Sequence, residues 1–273
     1  MILPAIEDKI VRRPGLNVPK THYIPNDKKS AFWDDFYTSV AKTISFKAPV
    51  PNFEKLINPY FGRFGMRWHP VIGSPHYFHI GIDINSPETT PFNPIEKGLL
   101  DYSGYANING NYIVIRHPHI ITEDGFVLHS LYMHCKTVNV EFSCFQKFLR
   151  RFICTDIPLS NLAIGQHEII GLIGSSGHKF KYTPHLHLQL EFIAMKKNIR
   201  VAVDPIRMYG HESSDNLSAS LNNMDDFKLL LEDAQRGDRQ AVYELICKFD
   251  WLITKHSKNA LGKVDEDLKQ HQI

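Results

Sequence analysis

Residues 185–192 read His-Leu-His-Leu-Gln-Leu-Glu-Phe, a strict alternation of polar and apolar side chains. A strand turns successive side chains to opposite faces. The segment therefore places His185, His187, Gln189 and Glu191 on one face and Leu186, Leu188, Leu190 and Phe192 on the other. A polar face that begins with two histidines is costly unless it lines a cleft or binds something. A second run, HIGIDI at residues 79–84, sets His79 and Asp83 among Ile80, Ile82 and Ile84. That pattern also predicts a half-buried strand. Side chains at i and i+2, or at i and i+4, share a face, so each motif is expected to aim its polar groups at one point.

Either motif alone is a weak signal. A histidine and an aspartate four apart are commonly a surface pair, and fifteen histidines in 273 residues can yield an H-x-H by chance. Together they offer two imidazoles and a carboxylate, the ligand set of a catalytic zinc site that leaves a fourth position for water. Such a water becomes acidic enough to attack an amide near neutral pH. No H-E-x-x-H occurs, so the glutamate base of helix-borne zinc proteases is missing. The same ligand types serve two-histidine-one-carboxylate iron oxygenases, but that set usually reads H-x-D/E, against H-x-x-x-D here.

The ordered run FGRFGMRWHPVIG, HIGIDINSP, NGNYIVIRH, SLYMH, IIGLIGSSG and PHLHLQLE, within residues 58–209, resembles the lysostaphin/LytM-type zinc endopeptidases of peptidoglycan. The resemblance implies a compact antiparallel β-sheet with a groove over one zinc ion. It implies His79, Asp83 and His187 as ligands, with His185 and His134 as the non-ligand histidines that hold and polarise the attacking water. Alone, His134 in SLYMH also reads as a core histidine at a strand end. Arg67 stands where the family pattern has an arginine; it either faces a developing oxyanion or forms a salt bridge that orders its loop. His69 precedes Pro70 and is expected to be structural. Two departures are visible: Thr183 replaces the glycine usual before Pro-His, and Gln189 stands where glutamate is common. Neither removes a ligand.

The fold class expected is mainly β with flanking helices: a metallopeptidase domain at 51–209, preceded by a helical or extended segment at 1–50. Within that segment Phe32, Trp33, Phe36, Tyr37 and Val40 fall on one helical side, which predicts docking on the catalytic domain; the functional alternative is a segment that covers the groove. Residues 135–168 form a long connection in which Phe145, Phe148, Leu149 and Phe152 have helical spacing. That stripe reads as core, or as a lid beside the groove. A polar linker at 210–223 leads to a helical C-terminal domain at 224–273. There Gly237 is expected to end one helix and Asp238 to cap the next. This segment weakly resembles the N-terminal helical domain of sigma-factor-like, helix-turn-helix regulators.

With 43% apolar residues the chain suits a globular protein, and a net charge of +2 argues neither for nor against an anionic polymer. The four cysteines, Cys135, Cys144, Cys154 and Cys247, show no C-x-x-C spacing, so a disulfide pairing is not deducible. No apolar run approaches the roughly 18 residues of a transmembrane helix, and the first residues lack the charged-then-apolar order of a signal peptide. Lysis-assisted release, specialised export and a shortened N-terminus all remain open as routes to a wall. The function expected is a zinc metalloendopeptidase that cuts stem or cross-bridge peptides of bacterial peptidoglycan. The alternative is an inactive wall-binding or regulatory module that recruits a protein partner through its C-terminal helices. No nucleic acid binding is expected from this chain alone.

Overall fold

Strand alternation dominates the first of two units into which the chain divides, Met1–Ser214 and Asp215–Ile273. A computed structural model describes residues 1–12, 19–58, 62–69, 74–138, 163–177, 183–210 and 235–236. The expected helical stripe at 145–152 and almost all of the expected helical pair at 224–273 lie outside the described residues, as do Pro70 and the side chain of His69.

The strands are β1 (Ile2–Leu3), β2 (Ile10–Val11), β3 (His22–Pro25), β4 (Gly65–His69), β5 (Ser74–His79), β6 (Ile82–Asn85) and β7 (Pro91–Phe92). They continue with β8 (Gly98–Ala106), β9 (Gly110–Thr122), β10 (Val127–Val138), β11 (Ala163–Ile164), β12 (Gly171–Ile173), β13 (His185–Ala194) and β14 (Ile199–Val203). Twelve of them form one sheet with the main order β11-β8-β9-β10-β13-β14-β3-β2. Strands β4 and β5 pair separately. The long central pairings β8–β9, β9–β10 and β10–β13 are antiparallel, while β14–β3 and β1–β9 are parallel. The fold is thus mostly β, as the alternating segments predict.

Strand β13 sits between β10 along its length and two partners on its other side. Its first half pairs with β6 and its second half with β14. With neighbours on both edges and material on both faces, every residue from His185 to Ala194 is buried. Leu186, Leu188, Leu190 and Phe192 join Ile82, Ile84, Leu128 and Tyr132 in the main core. Burying one such side chain stabilises by about 1.5–3 kcal/mol.

Helix α1 (Ser30–Thr43) covers that apolar face. It buries Trp33, Phe36, Tyr37 and Val40, one side of the helix, with Phe32 half-buried beside them. The Phe36 ring meets Phe192 edge-on at 5.6 Å between centroids. The Trp33 indole N–H donates to the Lys9 carbonyl at 2.9 Å, and the Tyr37 hydroxyl accepts from the Asp204 amide at 3.1 Å. These described parts of the N-terminal segment are built into the back of the sheet. The histidines of β13 occupy the opposite face.

Candidate metal centre

The site begins with a break in a strand. HIGIDI does not form one strand, as its alternation predicts. His79 ends β5 in the two-stranded sheet, the chain bends at Ile80–Gly81, and Asp83 lies in β6 of the large sheet. The physical reason is distance. Along a straight strand residues four apart are separated by roughly 13 Å, too far to share one ion. The bend brings His79 Nε2 within 3.3 Å of Asp83 Oδ1.

Asp83 and His187 are direct cross-strand partners in the β6–β13 pairing. His187 Nδ1 lies 2.8 Å from Asp83 Oδ1 and 3.0 Å from His79 Nε2. One donor atom from each of His79, Asp83 and His187 falls within 4.8 Å of the others, a cluster that could hold a metal ion. Gly81 makes the approach achievable, because a Cβ there would lie 2.6 Å from His187 Nε2. The glycine of HIGID is therefore a packing requirement of the site, which the motif displayed without explaining.

Hydrogen bonds assign the tautomers. His79 Nδ1–H donates to the Arg63 carbonyl at 2.6 Å, which puts the lone pair on Nε2, toward Asp83. His187 carries its proton on Nε2, facing Gln189 Oε1 at 3.3 Å, when a metal takes the lone pair of Nδ1, which otherwise stands at hydrogen-bond distance, 2.8 Å, from Asp83 Oδ1. Neutral imidazoles fixed in this way, with a carboxylate oxygen between them, are the donors that a divalent metal requires. Burial and then the Arg67 guanidinium push His79 down to about 3, against the pull of Asp83, so its ring stays neutral. Burial pushes the Asp83 carboxyl up, but the charges around it, the Arg67 guanidinium among them, outweigh burial and hold the group well below the usual carboxylate range.

Arg67 is salt-bridged to Asp83. Its Nη1 donates to Asp83 Oδ2 at 2.9 Å, while Oδ1 faces the histidines. It touches a candidate ligand and thereby fixes which carboxylate oxygen turns to the cluster.

His134 reaches the site through a β-bulge. Pairing of β10 with β9 slips between Tyr132 and Cys135, and His134 adopts the left-handed backbone with φ +62°. Simple alternation would send His134 to the core side with Tyr132. The bulge instead puts Met133 and His134 both on the histidine face and returns Cys135 to the core. A left-handed conformation in a residue other than glycine is held only where its surroundings impose it. Here the Asn109 carbonyl accepts from the His134 amide at 2.8 Å, and the Ser176 carbonyl accepts from Nδ1–H at 3.0 Å.

The His134 ring lies 4.8 Å from His185 and 6.1 Å from His187 between centroids. His185 donates from Nδ1 to the Thr183 carbonyl at 2.9 Å, and its Nε2 lies 3.9 Å from Asp83 Oδ1. Burial and the neighbouring imidazoles of His185 and His187 push His134 down to about 3, so its ring is neutral. Cys135 is a free buried thiol, raised to about 12 by burial, and the other three cysteines lie outside the described residues.

All six site residues expected from the sequence thus meet in one place. Motif reasoning missed their supports: Gly81, the Arg63 and Asn109 carbonyls, and Ser176, whose hydroxyl ties Cys135 to Asn111. The GSSG run held the signal for Ser176, since Cβ atoms at Gly110 and Gly177 would collide with the facing backbone.

No protein-family model matches the chain. Over 140 residues it is 29% identical to the peptidoglycan DD-endopeptidase ShyC of Vibrio cholerae, a match covering 51% of this chain and 26% of that protein. The chain therefore spans about a quarter of the curated relative. A zinc-containing peptidase from Vibrio cholerae is similar at 21% identity and TM-score 0.35, over 56% of this chain and 39% of that one. The catalytic domain of lysostaphin from Staphylococcus simulans is similar at 23% identity and TM-score 0.35, over 55% and 90%. In its ordered motifs the chain resembles the lysostaphin/LytM-type peptidases, and the curated protein it matches is a peptidoglycan endopeptidase.

Proposed function

We propose that this protein is a zinc-dependent endopeptidase that hydrolyses peptide bonds in the stems or cross-bridges of bacterial peptidoglycan. The observation that carries this reading is the convergence of His79 Nε2, Asp83 Oδ1 and His187 Nδ1, with the rings of His134 and His185 beside them. One zinc ion would be held by these three donors; when bound it supplies Lewis acidity and lowers the pKa of a water.

The chain's own groups supply the rest. His134 and His185, each with Nδ1–H tied to a carbonyl, present Nε2 as the proton-accepting atom. Either ring can take a proton from the attacking water and return it to the departing amine. Arg67 holds Asp83 by its outer oxygen, so the carboxylate keeps one orientation during turnover. His185 is buried and His134 half-buried, which strengthens the electrostatic contacts of both rings.

The curated relative is a DD-endopeptidase, which puts the D-alanyl cross-link first among the bonds to examine. Purified walls of differing cross-link chemistry, digested and read by mass, test the proposal together with His187→Ala and His134→Ala. The parent is expected to release cross-link fragments, His187→Ala to lose zinc and activity, and His134→Ala to keep zinc and lose cleavage. Equal cleavage by both variants would overturn it.

A further inference from the structure

Four histidines face the candidate centre, and each is fixed through the ring nitrogen turned away from it. His79, His134 and His185 donate to main-chain carbonyls of Arg63, Ser176 and Thr183. His187 differs: its Nε2 faces a side chain, the Gln189 amide oxygen, at 3.3 Å. A backbone carbonyl keeps its direction while the fold holds. A glutamine amide can turn over, offering either an acceptor or a donor, so something must set which end faces His187.

The next residue on the same face does so. Gln189 donates its amide N–H to Glu191 Oε1. Glu191 is wholly buried, and its two oxygens meet His22 Nε2 at 2.7 Å and Arg200 Nη1 at 3.3 Å. His22 comes from β3 in the N-terminal segment and Arg200 from β14, and those two residues are paired across the sheet.

We propose that Gln189 and Glu191 form a positioning relay for His187. Glu191, anchored by His22 and Arg200, orients the Gln189 amide so that its oxygen holds the His187 ring with Nδ1 toward Asp83 and His79. Both are positioning residues that act through His187, and the inference rests on His187 being a metal ligand. The relay accounts for a neutral residue at 189. A carboxylate there would stand beside the buried carboxylate of Glu191, where like charges are strongly disfavoured. The charge that could stand at 189 stands two residues further along the strand, and the amide transmits its orientation. The relay also connects the N-terminal strand β3 to the metal centre.

Zinc affinity of the full chain, measured by competition with a chromophoric chelator, tests this without recourse to catalysis. Gln189→Glu and Gln189→Met are each expected to weaken zinc binding by about tenfold or more. The exchanged pair, Gln189→Glu with Glu191→Gln, is expected to regain most of what Gln189→Glu loses, a rescue that general loosening of the fold would not produce. Should Gln189→Glu fail to fold, Gln189→Met and recovery of folding by the exchanged pair decide the matter. Parental affinity in Gln189→Met, or an exchanged pair no better than Gln189→Glu, would overturn the relay. A parent that binds no zinc, or a His187→Ala chain that binds it as the parent does, would overturn the metal-centre reading itself. Failure of the relay alone leaves the parent binding zinc and His187→Ala impaired.

Discussion

His187 Nε2 lies 2.6 Å from where a Cβ on Gly81 would stand, closer than atoms of the two residues could remain. The bend that brings His79 to Asp83 and the seat of the His187 ring thus depend on one missing methyl group. Gly81→Ala is expected to displace the ring and weaken zinc binding at least tenfold, with the far-ultraviolet spectrum unchanged. Undiminished zinc affinity would show that the ring has room to move.

The backbone at His134 offers a cleaner test than its side chain. Ala and Gly at 134 both lack the imidazole, so a difference between them isolates the φ of +62°. His134→Gly is expected to be more stable than His134→Ala by about 1 kcal/mol, because the left-handed conformation disfavours a Cβ. Both should bind zinc and fail to cleave. Equal thermal midpoints would mean that the bulge relaxes when the ring is removed.

Arg67 separates two roles by which measurement moves. As the partner of Asp83 Oδ2, its replacement by Ala should lower zinc affinity about tenfold in the absence of substrate. A role confined to a developing oxyanion would leave zinc affinity untouched and lower kcat alone.

His117 provides a pH dependence on the core side of the sheet, away from the metal centre. Burial pushes it down to about 3 from the ordinary 6.5, against the hydrogen bond it donates to the Lys97 carbonyl. Below pH 6.5 the unfolded chain binds a proton that the native chain refuses until about pH 3. The stability present above pH 6.5 is therefore lost progressively across that window. Thermal midpoints of metal-stripped parent and His117→Gln should diverge in slope there, with the parent falling more steeply. Parallel curves would contradict this.

What the sequence disclosed follows the range of the interactions. The alternation of 185–192 and the apolar side of 30–43 are local patterns, and both elements formed where their periodicity put them. The ligand types were legible in HIGID and PHLHLQLE, but not the way His79 and Asp83 meet. Alternation cannot register a bend between two sheets, and only the glycine hinted at it. The bulge at His134 arises from its pairing with Asn109 and Ser176, contacts distant in sequence. The same is true of Glu191 with His22, a pair joined by the parallel docking of β3 on β14. Gln189 was visible as a departure from the family pattern, yet its reason lies in a neighbour's charge.

The most direct test is digestion of purified peptidoglycan by the metal-stripped chain, before and after one equivalent of zinc is returned, with fragments identified by mass. The account predicts no cleavage by the stripped protein and release of cross-link or stem fragments once zinc is restored. Folded, zinc-loaded protein that releases no fragments from any wall type, or stripped protein that cuts as well as loaded, would contradict it.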